Sequence, residues 1–169
     1  MSDIPSAADI ERTEEFKKVF RRHPAGVAVI TARRPDGTPV GFTATSVSSL
    51  AAVPPLVSFN MARVSSAWPA MEGTEHVLVH MLGVDDKELA IKMAGPAAER
   101  FVGDHWSPGP QGLPLLKGVP AWMLGRIVER VPVANNAVVV VEVEVGELGE
   151  YDEGLIYAER TYHRLGPEL

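Results

Sequence analysis

The segment Ala137–Leu148 (AVVVVEVEVGEL) constrains the fold of this chain more than any other. Glu142 and Glu144 alternate with valines, which is the period of a half-solvated β-strand. Another long β-rich stretch, Val119–Val131, precedes it. The chain is therefore expected to be built mainly of strands.

The rest of the sequence adds further strands and a turn. Pro35-Asp36-Gly37 is a turn signal, because proline presets φ and glycine tolerates a positive φ. The other predicted strands are Gly26–Thr31, Val40–Ala44, Leu56–Met61, His76–Leu82 and Thr161–Leu165. Helices do not alternate regularly with these strands, which argues against a doubly wound sheet. The pattern favours a closed or nearly closed antiparallel β-barrel with peripheral helices.

Helical signals lie at the edges of this strand pattern. Thr13 can cap a helix whose apolar stripe is Phe16, Val19 and Phe20, and Pro24 ends it. Asp85 and Glu88 have the spacing of a capping box, and Gly95-Pro96 marks the end of that helix. Residues 1–12 are predicted to be a flexible N-terminal tail, and residues 13–166 a single domain.

Composition excludes several kinds of protein. The 169 residues suit one domain with a sizeable core, and the chain has no cysteine for a disulfide or a thiolate metal site. A net charge of −6 without a basic block argues against nucleic-acid binding. Neither a signal peptide nor a membrane-spanning run is recognisable. The sequence thus predicts a cytoplasmic, soluble protein with no nucleic-acid or membrane partner.

Five hydroxyl residues follow the second predicted strand within seven positions. They are Thr43, Thr45, Ser46, Ser48 and Ser49. Hydroxyls and backbone N–H groups in such a segment can bind a phosphate or the polar edge of a heterocycle. They can equally satisfy their own backbone in a turn. The residues alone leave both interpretations open, and no Walker or GxGxxG motif is present.

The order of several short motifs is more specific than any one of them. The chain reads HPAGVAVITARRPDGTPVGFTATSVSSLAAVPPLVSFN, then SSAWPAM, ERFVGDHW and YHRL. This series resembles the flavin reductase family across roughly Phe16–Leu165. The resemblance implies an FMN-binding split barrel of Greek-key type, usually a homodimer with FMN or FAD near the subunit interface. It also implies reduction of flavin by NADH or NADPH, often to supply a partner monooxygenase.

The resemblance also implies a set of flavin-binding residues. The end of the second strand would contact the isoalloxazine largely through its backbone, and later segments would contact the ribityl phosphate. The implied cofactor-binding residues are Thr43, Ala44, Thr45, Ser46, Ser48, Ser49, Ser65, Ser66, His80, Arg100 and Phe101. No metal site and no catalytic acid or base is predicted.

Six residues at four places in the chain depart from the family pattern. Ala134, Asn135 and Asn136 stand where members that use a nicotinamide usually carry Gly-Asp-His, in the region that would place the nicotinamide. Ala67 replaces a hydroxyl, His80 replaces an asparagine, and Val141 replaces a common glycine. Two alternatives therefore stand beside an NAD(P)H-dependent FMN reductase. One is a flavin-binding protein without efficient reductase activity, and the other is a haem- or deazaflavin-binding relative supported by His80.

Overall fold

The computed structural model describes residues 6–169, and its main element is a sheet of seven antiparallel strands. The strands are β1 (Ala25–Gly26), β2 (Ala28–Arg33), β3 (Pro39–Ala44), β4 (Ser48–Ala51), β5 (Leu56–Ala62), β6 (His76–Met81), β7 (Trp106–Pro108), β8 (Pro114–Leu116), β9 (Ala121–Val133), β10 (Asn136–Leu148), β11 (Ile156–Ala158) and β12 (Thr161–His163). The helices are α1 (Ala7–Arg21), α2 (Trp68–Gly73) and α3 (Lys87–Ala94). The prediction of a mainly β protein with peripheral helices is confirmed.

The connections of the large sheet are of the Greek-key type. Its strand order is β3-β2-β6-β9-β10-β5-β4, so the β4–β5 hairpin lies beside β10 rather than next to β3. Two smaller sheets, β1-β11-β12 and β7-β8, lie outside it. The predicted Pro35-Asp36-Gly37 turn joins β2 to β3, and Gly37 has the expected positive φ of 88°.

The large sheet curls around one apolar core. Phe42 of β3 and Phe59 of β5 approach across it, with ring centroids 6.0 Å apart. Ile30, Val79 and Val139 from β2, β6 and β10 are fully buried in the same cluster. In the described chain β3 pairs only with β2, and β4 only with β5, so the curled sheet is open between these two edges. We call this opening the split.

A second apolar layer covers the outer face of the sheet. Val29 of β2 packs there with Met93 of α3 and Leu116 of β8. The Thr31 hydroxyl donates to the Pro114 carbonyl oxygen at 2.6 Å and so ties β2 to the start of β8. This layer fixes α3 and the loop that follows it against β3.

The N-terminal helix begins earlier than the sequence analysis predicts. Ser6, not Thr13, is the N-cap, and Ser6 and Asp9 form a reciprocal capping box. Residues 7–12 are therefore helical rather than part of a tail, whereas residues 1–5 lie outside the described chain. The predicted stripe of Phe16, Val19 and Phe20 is real, but these side chains are 60%, 71% and 57% exposed.

The start of α3 also differs from its prediction. A short 3₁₀ turn, Val84–Asp86, precedes the helix, and the Asp86 carboxylate accepts the Gly83 N–H at 2.8 Å. Asp85 and Glu88 do not form the expected box: Asp86 is the N-cap of α3, and its carboxylate binds Gly83 instead of an N–H group in the first turn of the helix. The predicted end at Gly95-Pro96 is confirmed. None of the described helices is long and apolar enough to cross a membrane.

Candidate functional site

The hydroxyl-rich loop after β3 lies at the split, but several of its hydroxyls are already bound by the protein. Thr43 donates to the Ala90 carbonyl oxygen of α3 at 2.7 Å, and Ala44 is buried in the core. The Ser46 hydroxyl accepts the Asn60 N–H at 2.9 Å and lies 3.3 Å from the Asn60 carbonyl oxygen. Thr43, Ala44 and Ser46 thus leave mainly backbone groups for a ligand.

The exposed hydroxyls of the same segment are the ones that remain available. Thr45 and Ser49 are exposed, and their hydroxyls make no hydrogen bond to any residue of the described chain. Ser48 reaches only the Ser49 carbonyl oxygen, at 3.4 Å. Ser48 and Ser49 thus have hydroxyls available to a ligand at the split, whereas Thr45 lines a cavity with Phe16, Phe20 and Tyr157.

The loop after β5 brings a second pair of serines to the split. The Ser65 hydroxyl accepts the Ala67 N–H at 3.2 Å, whereas Ser66 is exposed and lines a small cavity. Ala67 is 1% exposed and packs in the core. A hydroxyl at position 67 would point into that core, so its replacement by alanine removes no group from the surface of the split.

The tip of the β9–β10 hairpin adjoins this loop. The Arg63 N–H donates to the Asn135 carbonyl oxygen at 2.8 Å, and Asn136 pairs with Ala62 in the sheet. Asn60, which holds Ser46, lies only two residues before Ala62, which is about 7 Å along a strand. The hydroxyl loop, the hairpin tip and the serine loop therefore meet at the C-terminal end of β5.

Asn60 itself is a site residue that the sequence analysis missed. Its side chain is exposed between the buried Phe59 and Met61, and its backbone positions Ser46. The available signal was a polar residue at the end of the predicted strand segment LVSFN, directly after an aromatic residue.

Arg100 and Phe101 follow α3 and reach the same region from the other side of β3. The Arg100 guanidinium donates to the Gly95 carbonyl oxygen at 2.9 Å and to the Gly41 carbonyl oxygen at 2.8 Å. Burial lowers the pKa of Arg100 from its usual value. Phe101 packs edge-on against Trp106, with ring centroids 5.4 Å apart. Both residues line the cavity that Ser66 also lines.

That cavity has a volume of about 220 Å³. Besides Ser66, Arg100 and Phe101, its lining includes Arg34 and Thr38 from the β2–β3 turn. Neither Arg34 nor Thr38 is among the site residues predicted from the sequence, where the turn serves only as a fold signal. No local pattern places the turn beside Ser66, because 32 positions separate Arg34 from Ser66 along the chain.

His80 does not belong to the site. It is 0% exposed, its Nδ1–H donates to the Val29 carbonyl oxygen at 3.1 Å, and its Nε2 accepts the Leu116 N–H at 3.1 Å. Burial lowers the pKa of His80 to about 4, although the bond to Val29 acts in the opposite direction. Both ring nitrogens are therefore occupied, so His80 can neither contact a flavin nor ligate a haem iron.

Comparison with known proteins decides the family. The flavin reductase like domain matches residues 20–166, which is most of the chain. The chain belongs to the flavin reductase-like family. It is an oxidoreductase of this family, and the resemblance seen in its ordered motifs is confirmed.

Several relatives of this flavin reductase-like protein are similar over nearly their whole length. An NADH:FMN oxidoreductase from Rhodococcus qingshengii is 39% identical over 90% of this chain and 82% of its own. The 4-hydroxyphenylacetate 3-monooxygenase reductase component of Pseudomonas aeruginosa is 32% identical over 91% of this chain and 92% of its own. A crystal structure of a flavin reductase domain protein from Arthrobacter sp. FB24 is 52% identical, with a TM-score of 0.89 over 92% of this chain and 97% of its own.

The residues around the split of this flavin reductase-like protein suit a flavin. Exposed hydroxyls lie near the open edges of β3 and β4, and arginines line the adjoining cavity. Within residues 6–169, no group of three or more His, Asp or Glu side chains could hold a metal ion. The chemistry of the donors thus fits an organic cofactor with a polar edge and an anionic end.

Proposed function

We propose that this chain uses NADH or NADPH to reduce FMN, which lies in the split between β3 and the β4–β5 hairpin. The observation that supports this proposal most is that three segments meet at the C-terminal end of β5. The hydroxyl loop, the hairpin tip and the serine loop meet there, and the Ser66 loop opens onto the arginine-lined cavity. This arrangement offers hydrogen-bonding groups to a heterocycle at one end and positive charge to a phosphate at the other.

Each segment has a role in this proposal. The backbone of Thr43–Ser46 and the hydroxyls of Ser48 and Ser49 bind the polar edge of the isoalloxazine. Ser65, Ser66, Arg100 and Phe101 hold the ribityl phosphate end. Asn135 and Asn136 lie at the hairpin tip, where the nicotinamide would approach.

The flavin, once bound, accepts a hydride from the nicotinamide, and this chemistry belongs to the two cofactors. The side chains that we assign to the site are hydroxyls, amides and arginines. None of them exchanges a proton readily near neutral pH. The protein therefore contributes binding, orientation and electrostatics rather than acid or base catalysis.

We also propose that the protein is a homodimer. The apolar stripe of α1 supports this, because Phe16, Val19 and Phe20 remain more than half exposed and α1 buries none of its side chains. A second copy would cover this stripe. The similarity to a monooxygenase reductase component supports a further proposal, that the reduced flavin passes to a partner monooxygenase.

An anaerobic absorbance experiment tests the main proposal. FMN is added to the purified protein, and one equivalent of NADH follows. We expect the flavin spectrum to change on binding, and we expect NADH to bleach the visible absorbance of the oxidised flavin. If the absorption spectrum of FMN is the same with and without the protein, flavin binding in the split is contradicted.

The replacement of Gly-Asp-His by Ala134, Asn135 and Asn136 at the hairpin tip favours a second function. Asparagine at position 136 can form hydrogen bonds but cannot become charged, unlike the histidine usual in the family. The protein would then bind FMN without efficient use of NADH. In this case Asn136→His should raise kcat/KM for NADH by about tenfold, the effect of one hydrogen bond to a charged group. Asn135→His is the matched control, and equal rates in all three proteins would argue against a limiting role of residue 136.

A further inference from the structure

The small cavity beside the split is formed by three segments that are distant in sequence. The β2–β3 turn supplies Arg34 and Thr38, the loop after α3 supplies Arg100, and the loop after β5 supplies Ser66. Arg34 Nη2 lies 3.5 Å from the Ser66 carbonyl oxygen, which is a long and weak contact. The cavity therefore joins two cations and two hydroxyl side chains around about 220 Å³.

The cavity has an excess of positive charge. None of its lining residues is acidic, and neither arginine forms an ion pair with a carboxylate anywhere in the described part of the chain. Asp36 lies in the same turn as Arg34. Its pKa is lowered mainly by hydrogen bonds from Thr38 and only in small part by Arg34. Two guanidinium groups without a carboxylate partner suit an anionic ligand.

The two arginines differ in how firmly they are held. Arg100 is half-buried, and two backbone carbonyl oxygens fix its guanidinium. Arg34 is exposed, and only the weak contact to Ser66 restrains its side chain. Arg34 can therefore move toward a ligand, and its side chain can be changed without disturbing the core.

We infer that Arg34 is a specificity-determining residue that, together with Arg100, selects flavins ending in a phosphate monoester. This inference rests on the proposed function. A phosphate monoester carries a charge of about −1.5 to −2 at neutral pH. In FAD the ribityl phosphate is joined to a second phosphate by an anhydride bond and carries a single charge, so two cations around this phosphate favour FMN over FAD. Riboflavin has no phosphate and gains nothing from the cavity.

Binding of three flavins to the full-length chain tests this inference. Dissociation constants for FMN, FAD and riboflavin are measured by fluorescence quenching at low salt in the wild type and in Arg34→Gln. We expect wild-type protein to bind FMN more tightly than riboflavin. Arg34→Gln should weaken FMN binding by at least about tenfold, as for a lost charge-assisted hydrogen bond, and should leave riboflavin binding unchanged.

Two further variants serve as controls. Arg22→Gln removes the same charge from an 87% exposed side chain at the C-cap of α1, which contacts Glu159 and does not line the cavity, and it should change none of the three constants. Arg34→Lys keeps the charge but loses the planar fork, so it should recover part of the FMN affinity.

The results distinguish a failure of the proposed function from a failure of the role that we assign to Arg34. If the wild type binds none of the flavins, the proposed function itself fails. If FMN and riboflavin bind equally to the wild type, flavin binding stands but the phosphate site is overturned. Unchanged FMN binding in Arg34→Gln, or an equal loss of FMN and riboflavin binding, overturns the role of Arg34.

Discussion

His80 shows how burial changes the meaning of a residue. Because its Nε2 accepts the Leu116 N–H, the ring must be the neutral Nδ1–H tautomer. Protonation would break that bond and place a charge in the apolar interior. The ring thus joins β6 to β2 and β8 only while it is uncharged.

The lowered pKa of His80 makes stability depend on pH. The folded-state pKa is about 4 and the ordinary value is 6.5. Only the unfolded chain gains a proton as the pH falls from 6.5 toward 4, so stability is full above this range and is lost across it. From this group we expect the free energy of unfolding to fall by about 3 kcal/mol between pH 7 and pH 4.

Urea denaturation of wild type and His80→Asn at both pH values measures this effect. The variant should be less stable at pH 7 because it loses ring contacts, but its stability should fall less on acidification. His23→Asn, at an exposed position, should retain the wild-type pH dependence. An equal loss of stability in wild type and His80→Asn would show that His80 does not titrate as proposed.

At the scale of elements, the β9–β10 hairpin shows how departures from a family pattern are accommodated. A valine at position 141 is tolerated because Gly125, two positions along β9 from the Ile127 that pairs with Val141, leaves room for the valine side chain. A Cβ at Gly125 would come within 2.3 Å of the Val141 side chain. The bulge at Val140/Val141 lies in the same region. The glycine needed for this close approach is thus on β9 rather than on β10.

The tip of the same hairpin holds an alanine in a backbone conformation that favours glycine. Ala134 has a φ of 49°, a left-handed conformation that glycine adopts without steric cost. Ala134→Gly should therefore raise the free energy of unfolding by about 0.5–1 kcal/mol, after subtraction of the added freedom of glycine in the unfolded chain.

Chemical denaturation measures the effect of Ala134→Gly. Ala121→Gly, in β9 at an ordinary φ, is the matched control and should be destabilising. If Ala134→Gly destabilises the protein as much as this control does, the turn does not have the left-handed geometry that the structure shows.

At the scale of the whole molecule, the exposed stripe of α1 makes the oligomeric state testable. Sedimentation should give twice the 18.2 kDa mass of one chain. Burying one phenylalanine contributes about 1.5–3 kcal/mol, so the double variant Phe16→Ser/Phe20→Ser should weaken association by at least about a hundredfold.

Circular dichroism of this double variant controls for loss of the fold. Since α1 buries none of its side chains within one chain, the strand signal should be unchanged. A wild-type monomer would contradict the proposed homodimer, and a double variant that remains dimeric would exclude α1 as its interface.

The strand-rich architecture, the Pro35-Asp36-Gly37 turn and the family can all be predicted from the amino-acid sequence. These depend on local features, such as alternation, turn chemistry and the order of short motifs, which are visible along the chain. The predicted start of α1 was wrong because Ser6 and Thr13 are both hydroxyl residues that can cap a helix.

Which polar groups remain for a ligand depends on how the chain packs and could not be predicted from the sequence. Thr43 and Ser46 look like Thr45 and Ser49 in the sequence, but the first two are bound by Ala90 and Asn60. The burial of His80 and the position of Arg34 at the cavity also depend on contacts between distant segments. Each depends on the packing of segments far apart in the chain, and a hydrogen-bonding group is available only when no such neighbour satisfies it.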